Sequence, residues 1–138
     1  MTRRVALLVP FAFCCRAADP AREVLDLIAD AAGCLSAGDA AGFLKAFDPA
    51  MEGYARLREY VRGLIAQGEV QSLIDPLEDE GDDRRRVEQL HWTLRLKRGP
   101  ESANFSTREQ AVKCTVEKRG GKWRIVDLEP IAFFAPGT

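Results

Sequence analysis

Across residues 24–65 apolar positions recur every three or four residues, and beyond Gly68 they recur every second residue. The first rhythm belongs to helices with one buried stripe, the second to strands with one buried face. Asp19-Pro20 opens the first helix. Aspartate at the N-cap accepts otherwise unpaired amide protons, and proline at the first helical position loses nothing by lacking its own. Val24, Leu27, Ile28, Ala31 and Leu35 form the stripe, with Cys34 at its edge, and Gly38 stops the helix. Asp39 caps a second, short helix carrying Phe43, Leu44 and Phe47 on one face, which Asp48-Pro49 breaks. A third helix is expected over 54–67, buried along Tyr54, Leu57, Val61, Leu64 and Ile65.

The strands follow. Residues 69–77 read as an edge or bulged strand, because Pro76 lacks a ladder donor. Residues 78–83 read as a solvated acidic turn answered by Arg84, Arg85 and Arg86. The alternation is clearest over 87–97. Leu90, Trp92, Leu94 and Leu96 point one way, and Gln89, His91, Thr93, Arg95 and Lys97 the other. A polar loop spans 99–107. A third strand spans 108–118 with Val112, Cys114 and Val116 inward, and Gly120-Gly121 makes a tight hairpin. The last strand is expected over 123–134 with Trp123 and Ile125 inward. Leu128 and Ile131 have the opposite parity, which calls for a bulge or a fully buried stretch. The fold class is therefore α+β: helices first, packed on a curved four-stranded antiparallel sheet. Helices across the concave face of such a sheet leave a cone-shaped cavity.

Composition adds the compartment. The 138 residues suit one domain, and a net charge of −1 from 20 basic and 21 acidic residues gives no long-range pull toward nucleic acid. Residues 1–17 run from Arg3-Arg4 through an apolar stretch to small residues, the order of a secretory signal. The stretch is shorter than the roughly 20 residues of a membrane span. The expectation is a periplasmic or secreted domain over 18–138. A buried N-terminal strand is the alternative. A lipid anchor on Cys14 fits less well, because Phe11 and Phe13 stand where small or aliphatic residues are wanted. With the leader gone, Cys34 and Cys114 remain. They can close a disulfide in an oxidising compartment or fill the core as two buried thiols. No Cys-x-x-Cys pair exists, and the acidic run lacks the ligand spacing of a calcium loop. Neither metal nor cofactor is called for.

The pattern resembles the nuclear transport factor 2-like superfamily, with its SnoaL-like cyclases and ketosteroid isomerases. The resemblance is carried by Ala37-Gly38-Asp39, Phe43-Leu44-x-x-Phe47, Glu88-x-Leu90-x-Trp92-x-Leu94 and Gly121-Lys122-Trp123-Arg124-Ile125. It covers about residues 20–134 and implies the cystatin-like cone, with acid–base residues inside the cone where the protein is an enzyme. Tyr54, Tyr60, Asp127 and Glu129 are the candidates for such a site; no role is assigned to any of them. The only histidine, His91, faces outward by parity. Tyr54, Leu57, Trp92, Cys114, Trp123 and Asp127 are expected to line a pocket for a small apolar ligand. For Trp92, Trp123 and Tyr54, plain core packing is the competing account. Asp127 is inward on simple alternation and outward if the last strand is bulged. Three functions compete: an exported small-molecule-binding or accessory domain without chemistry, a carboxylate acid–base isomerase, cyclase or dehydratase, and an interaction module with a filled cavity. A homodimer through the outer sheet face is the expected assembly.

Overall fold

A computed structural model describes residues 19–99 and 105–137. In chain order it holds α1 (Pro20–Ser36), α2 (Ala40–Leu44), α3 (Tyr54–Ala66), β1 (Gly68–Gly81), β2 (Arg85–Arg98), β3 (Ser106–Arg119), β4 (Lys122–Glu129) and a 3₁₀ turn, Ile131–Phe134. The expected leader with Cys14 lies outside the described residues.

Both aspartate caps form. The Asp19 carboxylate accepts from the Arg22 amide at 3.2 Å, and Asp39 accepts from the Gly42 amide at 2.9 Å. The second helix is shorter than the pattern predicts. It ends at Leu44, and Phe47 instead makes a parallel bridge to Ile125. The Ile125 amide donates to the Ala46 carbonyl at 2.8 Å, and the Asp48 amide to the Ile125 carbonyl at 2.9 Å. Residues 46–48 thus leave the helix because the open edge of β4 offers their backbone groups better partners than another helical turn would.

The sheet runs β1-β2-β3-β4, antiparallel throughout, so β1 and β4 are its edges. Gly120 and Gly121 take φ of 58° and 81°, the paired left-handed conformations of a two-residue hairpin. Two strand boundaries differ from expectation. β1 does not stop near Leu77 but continues to Gly81, so most of the acidic run is strand and the turn is confined to residues 82–84. A bulge between Pro76 and Glu78 leaves Leu77 unpaired, which lets the ladder resume past the proline. The Asp82 carboxylate then holds the turn by accepting from the Arg84 and Arg85 amides at 2.8 and 2.9 Å. β4 ends at Glu129, ahead of a cis Glu129–Pro130 peptide, and residues 131–134 coil into the 3₁₀ turn. A second bulge opposite Thr115 and Val116 shifts β4 by one residue. Leu128 consequently joins Ile125 in the core, and Asp127 pairs with Thr115 on the opposite parity.

Leu90, Trp92, Leu94, Val112, Cys114 and Val116 are buried as the alternation predicts, against Val24, Ile28 and Leu35 of α1 and Leu57, Val61 and Leu64 of α3. The interior of the cone is occupied by aromatic rings. Phe134 meets Trp92 edge-on at 5.1 Å and lies 5.7 Å from Phe43, which in turn lies 5.0 Å from Phe47. The C-terminal segment brings Phe134 there and is tied down from both sides. Arg108 Nη1 donates to the carbonyls of Phe133 and Ala135 at 2.6 and 2.8 Å, and the Gln67 side chain both donates to and accepts from Gly137. Truncating Phe134 to alanine should lower unfolding stability by about 3–5 kcal/mol, because the cork loses its ring and leaves a void. Leu77→Gln, at an exposed position, should stay within about 0.5 kcal/mol. Urea denaturation of the two variants reads the contrast directly.

Candidate functional site

Since the cone is filled, concave surface has to be sought outside it. Tyr54, Arg58 and Arg62 are spaced by four residues along α3 and therefore share one face. Lys122 and Arg124 are two apart on β4 and share one side of that strand. Between them lies a groove of about 610 Å³, lined also by Leu44, Lys45 and Phe47. Five cationic side chains face this groove, and no carboxylate lines it. A second groove of about 570 Å³ abuts the first and shares Lys45, Lys122 and Arg124 with it. Its far wall is the polar side of α1, with Glu23, Asp26 and Asp30, together with the half-buried Trp123 ring. The Trp123 indole donates to Glu23 Oε1 at 2.9 Å, pinning β4 to α1.

The other polar cluster is buried. Extending the inward face of β2 back from Leu90 reaches Glu88 and then Arg86, which are 2% and 8% exposed. Arg86 is committed to Asp79, with Nη2 2.9 Å from both carboxylate oxygens and Nε 3.0 Å from one. It leaves Glu88 only a 3.7 Å approach from Nε, and Glu88 Oε2 is buried without a hydrogen-bond partner. Burial above all, then the hydrogen bond to cross-strand Asp79 and its charge, push the Glu88 carboxyl up to about 8. The same hydrogen bond is the main cause holding Asp79 below its ordinary range. The raised carboxyl favours the neutral, protonated form of Glu88 around neutral pH.

The residues predicted to line a pocket are not gathered in one place. Tyr54 is half-buried in the cationic groove and Trp123 in its neighbour. Leu57, Trp92 and Cys114 are core residues with no exposed surface to offer a ligand, because the aromatic cork fills the space they face. Asp127 is half-buried and, through the β4 bulge, pairs with Thr115 out of phase with the inward Ile125 and Leu128. Cys34 and Cys114 are free thiols. Burial, then the charge of cross-strand Glu88, raises the Cys114 thiol far above its usual range, so it behaves as an apolar filler. His91 faces outward, with Nε2 2.8 Å from Glu109.

No family model matches the sequence, and no curated protein does. Solved structures do match. An NTF2-like protein with a cystatin-like fold from Novosphingobium aromaticivorans is 19% identical with a TM-score of 0.65, over 88% of this chain and 86% of that one. A nuclear transport factor 2-like superfamily protein from Salmonella enterica is 13% identical with a TM-score of 0.66, over 85% and 91%. An NTF2-like protein of unknown function from Shewanella oneidensis is 16% identical with a TM-score of 0.58, over 80% and 97%. The chain has the nuclear transport factor 2-like fold. At such identities the likeness concerns the fold alone. Of the acid–base candidates that the nuclear transport factor 2-like resemblance brought forward, Tyr54, Tyr60 and Asp127 are half-buried and Glu129 is exposed, so none is enclosed in the cone. The enclosed acid is Glu88, which sequence reasoning passed over although it stands in the same alternation as Leu90 and Trp92. The Tyr54-Arg58-Arg62 stripe was likewise visible in the spacing and was missed.

Glu88 makes stability depend on pH. Its carboxyl rises from 4.5 to about 8 on folding. The stabilisation from its tighter proton is complete below the lower value and disappears as pH climbs through the upper one. Asp79, lowered, acts in the opposite sense, and its contribution is lost only in acid. Urea midpoints for the wild type should therefore fall between mildly acidic and mildly alkaline pH, and Glu88→Gln should flatten that decline.

Proposed function

We propose that the protein is an exported small-molecule-binding domain without chemistry of its own, and that its ligand lies in the outer groove under α3. The observation that carries this reading is the contrast between a cone interior packed with Trp92, Phe43 and Phe134 and an open groove of about 610 Å³ beside it. That volume is within the range of small-molecule sites, about 300–1,000 Å³. Leu44 and Phe47 lie beneath it, 6% and 1% exposed, and the half-buried Tyr54 supplies a ring and a hydroxyl. An acid–base enzyme would need a carboxylate within reach of substrate. Glu88 is sealed against Asp79 and Arg86, and Asp127 pairs with Thr115 out of phase with the inward Ile125 and Leu128, so neither supports that alternative. Export is supported by the charged, apolar and small-residue order of positions 1–17.

A second reading, an interaction module that pairs through its outer sheet face, is favoured by Leu73. It stands 58% exposed on β1, on the face opposite Val70 and Ser72, with Leu77 at the nearby bulge 54% exposed.

Native mass spectrometry of the protein purified from its source tests these readings together. The expected spectrum shows a chain lacking residues 1–17 with a retained small molecule. Ala41→Trp, at an exposed position on the groove wall, should empty it. Equal occupancy in that variant would reject the groove, an intact N-terminus would reject export, and a ligand-free dimer would favour the second reading.

A further inference from the structure

The groove also specifies the charge of what it holds. Resting on the reading of this groove as the ligand site, we propose that it binds a small organic polyanion. Such a molecule carries at least two negative charges, as in a diphosphate group, on an apolar or aromatic body.

The first argument is segregation. Acidic and basic residues are nearly equal in number over the whole chain, yet the groove gathers Lys45, Arg58, Arg62, Lys122 and Arg124 with no carboxylate among its walls. The second is that these charges are unspent. Among the described residues the ion pairs engage Arg22, Arg85, Arg86, His91, Lys118 and Arg119, and none of the five. The acids of the neighbouring groove, Glu23, Asp26 and Asp30, lie across the ridge that Lys45, Lys122 and Arg124 share. Of these acids Asp26 pairs with Arg22 at 3.9 Å and Glu23 with Lys118 at 4.0 Å, and among the described residues no ion pair joins any of the three to Lys45, Lys122 or Arg124.

The third argument is cost. Arg58 and Arg62 are four apart on one helix face, where like charges repel. With Lys122 and Arg124 on the β4 wall, an anion in the groove would meet cations from both sides. Two planar guanidinium forks side by side suit oxygens held in fixed geometry, as on phosphate or carboxylate groups. Tyr54 continues the arginine stripe by one turn. A ligand with its charge toward Arg58 and Arg62 therefore has the Tyr54 ring as a rest for its body. A small molecule is favoured over nucleic acid because the cations converge on one concavity rather than tracking along a surface, and the chain's net charge of −1 provides no long-range attraction.

Isothermal titration of the exported chain with pyrophosphate, citrate, ADP and adenosine tests this, with Arg58→Gln/Arg62→Gln as the site variant. Lys113→Gln, on the outer side of β3, serves as the charge control. The expected result is binding of the anions and not of adenosine, weakened about tenfold or more by the double variant, weakened by salt, and unchanged in the control. Preference for pyrophosphate and ADP over citrate assigns phosphate; the reverse assigns polycarboxylate. Thermal melting without ligand adds a second readout, in which relief of repulsion should raise the midpoint of the double variant. A lowered midpoint would make the arginines structural and overturn the proposal. If adenosine binds as well as ADP, and only Ala41→Trp abolishes binding, the groove reading stands and the polyanion falls. If no probe binds and native mass spectrometry finds no retained molecule, both fall. Binding of an acidic peptide or an oligonucleotide alone, through the same arginines, would overturn the small-molecule class.

Discussion

One indole organises this molecule. Trp92 has to bury a large ring and still satisfy a single N–H. It does so by donating to Ser72 Oγ at 2.8 Å, while the Ser72 amide donates to Ser36 Oγ at 2.8 Å. The first bond fixes β1 to β2, and the second fixes α1 to β1. The ring face that remains is met edge-on by Phe134, which commits the C-terminal segment as well. Parts of the chain far apart in sequence are thereby joined at Trp92 and its partner Ser72. The space a ligand would need inside the cone is used for that purpose.

Filling the interior relocates what the fold can do. A hollow cone recognises through its inner wall; a solid one has only its outside. Here the outside is chemically uneven. In the first hairpin Arg86 is spent on Asp79, and Glu88 beside them is pushed toward its neutral form. Around α3 and β4, Lys45, Arg58, Arg62, Lys122 and Arg124 stand outside the ion pairs of the described residues. Shared architecture therefore says little about shared activity in this case, because the interior of the cone is packed with Trp92, Phe43 and Phe134.

Much of this architecture was legible in the sequence, since periodicity reports which face of an element is buried. The alternation Leu90, Trp92, Leu94 and the stripe Val24, Ile28, Leu35 named their core positions correctly, and the aspartate caps marked the helix starts. What periodicity does not report is the partner. Phe47 reads as helical until the open edge of β4 competes for its backbone. Ile131 and Phe134 read as strand because apolar residues in a row look alike whether they extend a ladder or plug a chamber. Glu88 was overlooked because a charged residue in alternating register is ordinarily assigned to solvent, and only Arg86 and Asp79 beside it explain how it can lie inward. The groove depends on three elements meeting in space, and no local pattern encodes such a meeting.

The two borders of the sheet bear on how copies of the chain could associate. Along β4 the border is already occupied by residues 46–48. Along β1 it is interrupted by Pro76 and the following bulge, then lined by Glu78, Asp79 and Glu80. Joining rim to rim could repeat without end and build a fibre; stacking sheet against sheet consumes the surface it uses and halts at a pair. The bulge and carboxylates on one rim and residues 46–48 on the other thus work against rim-to-rim joining.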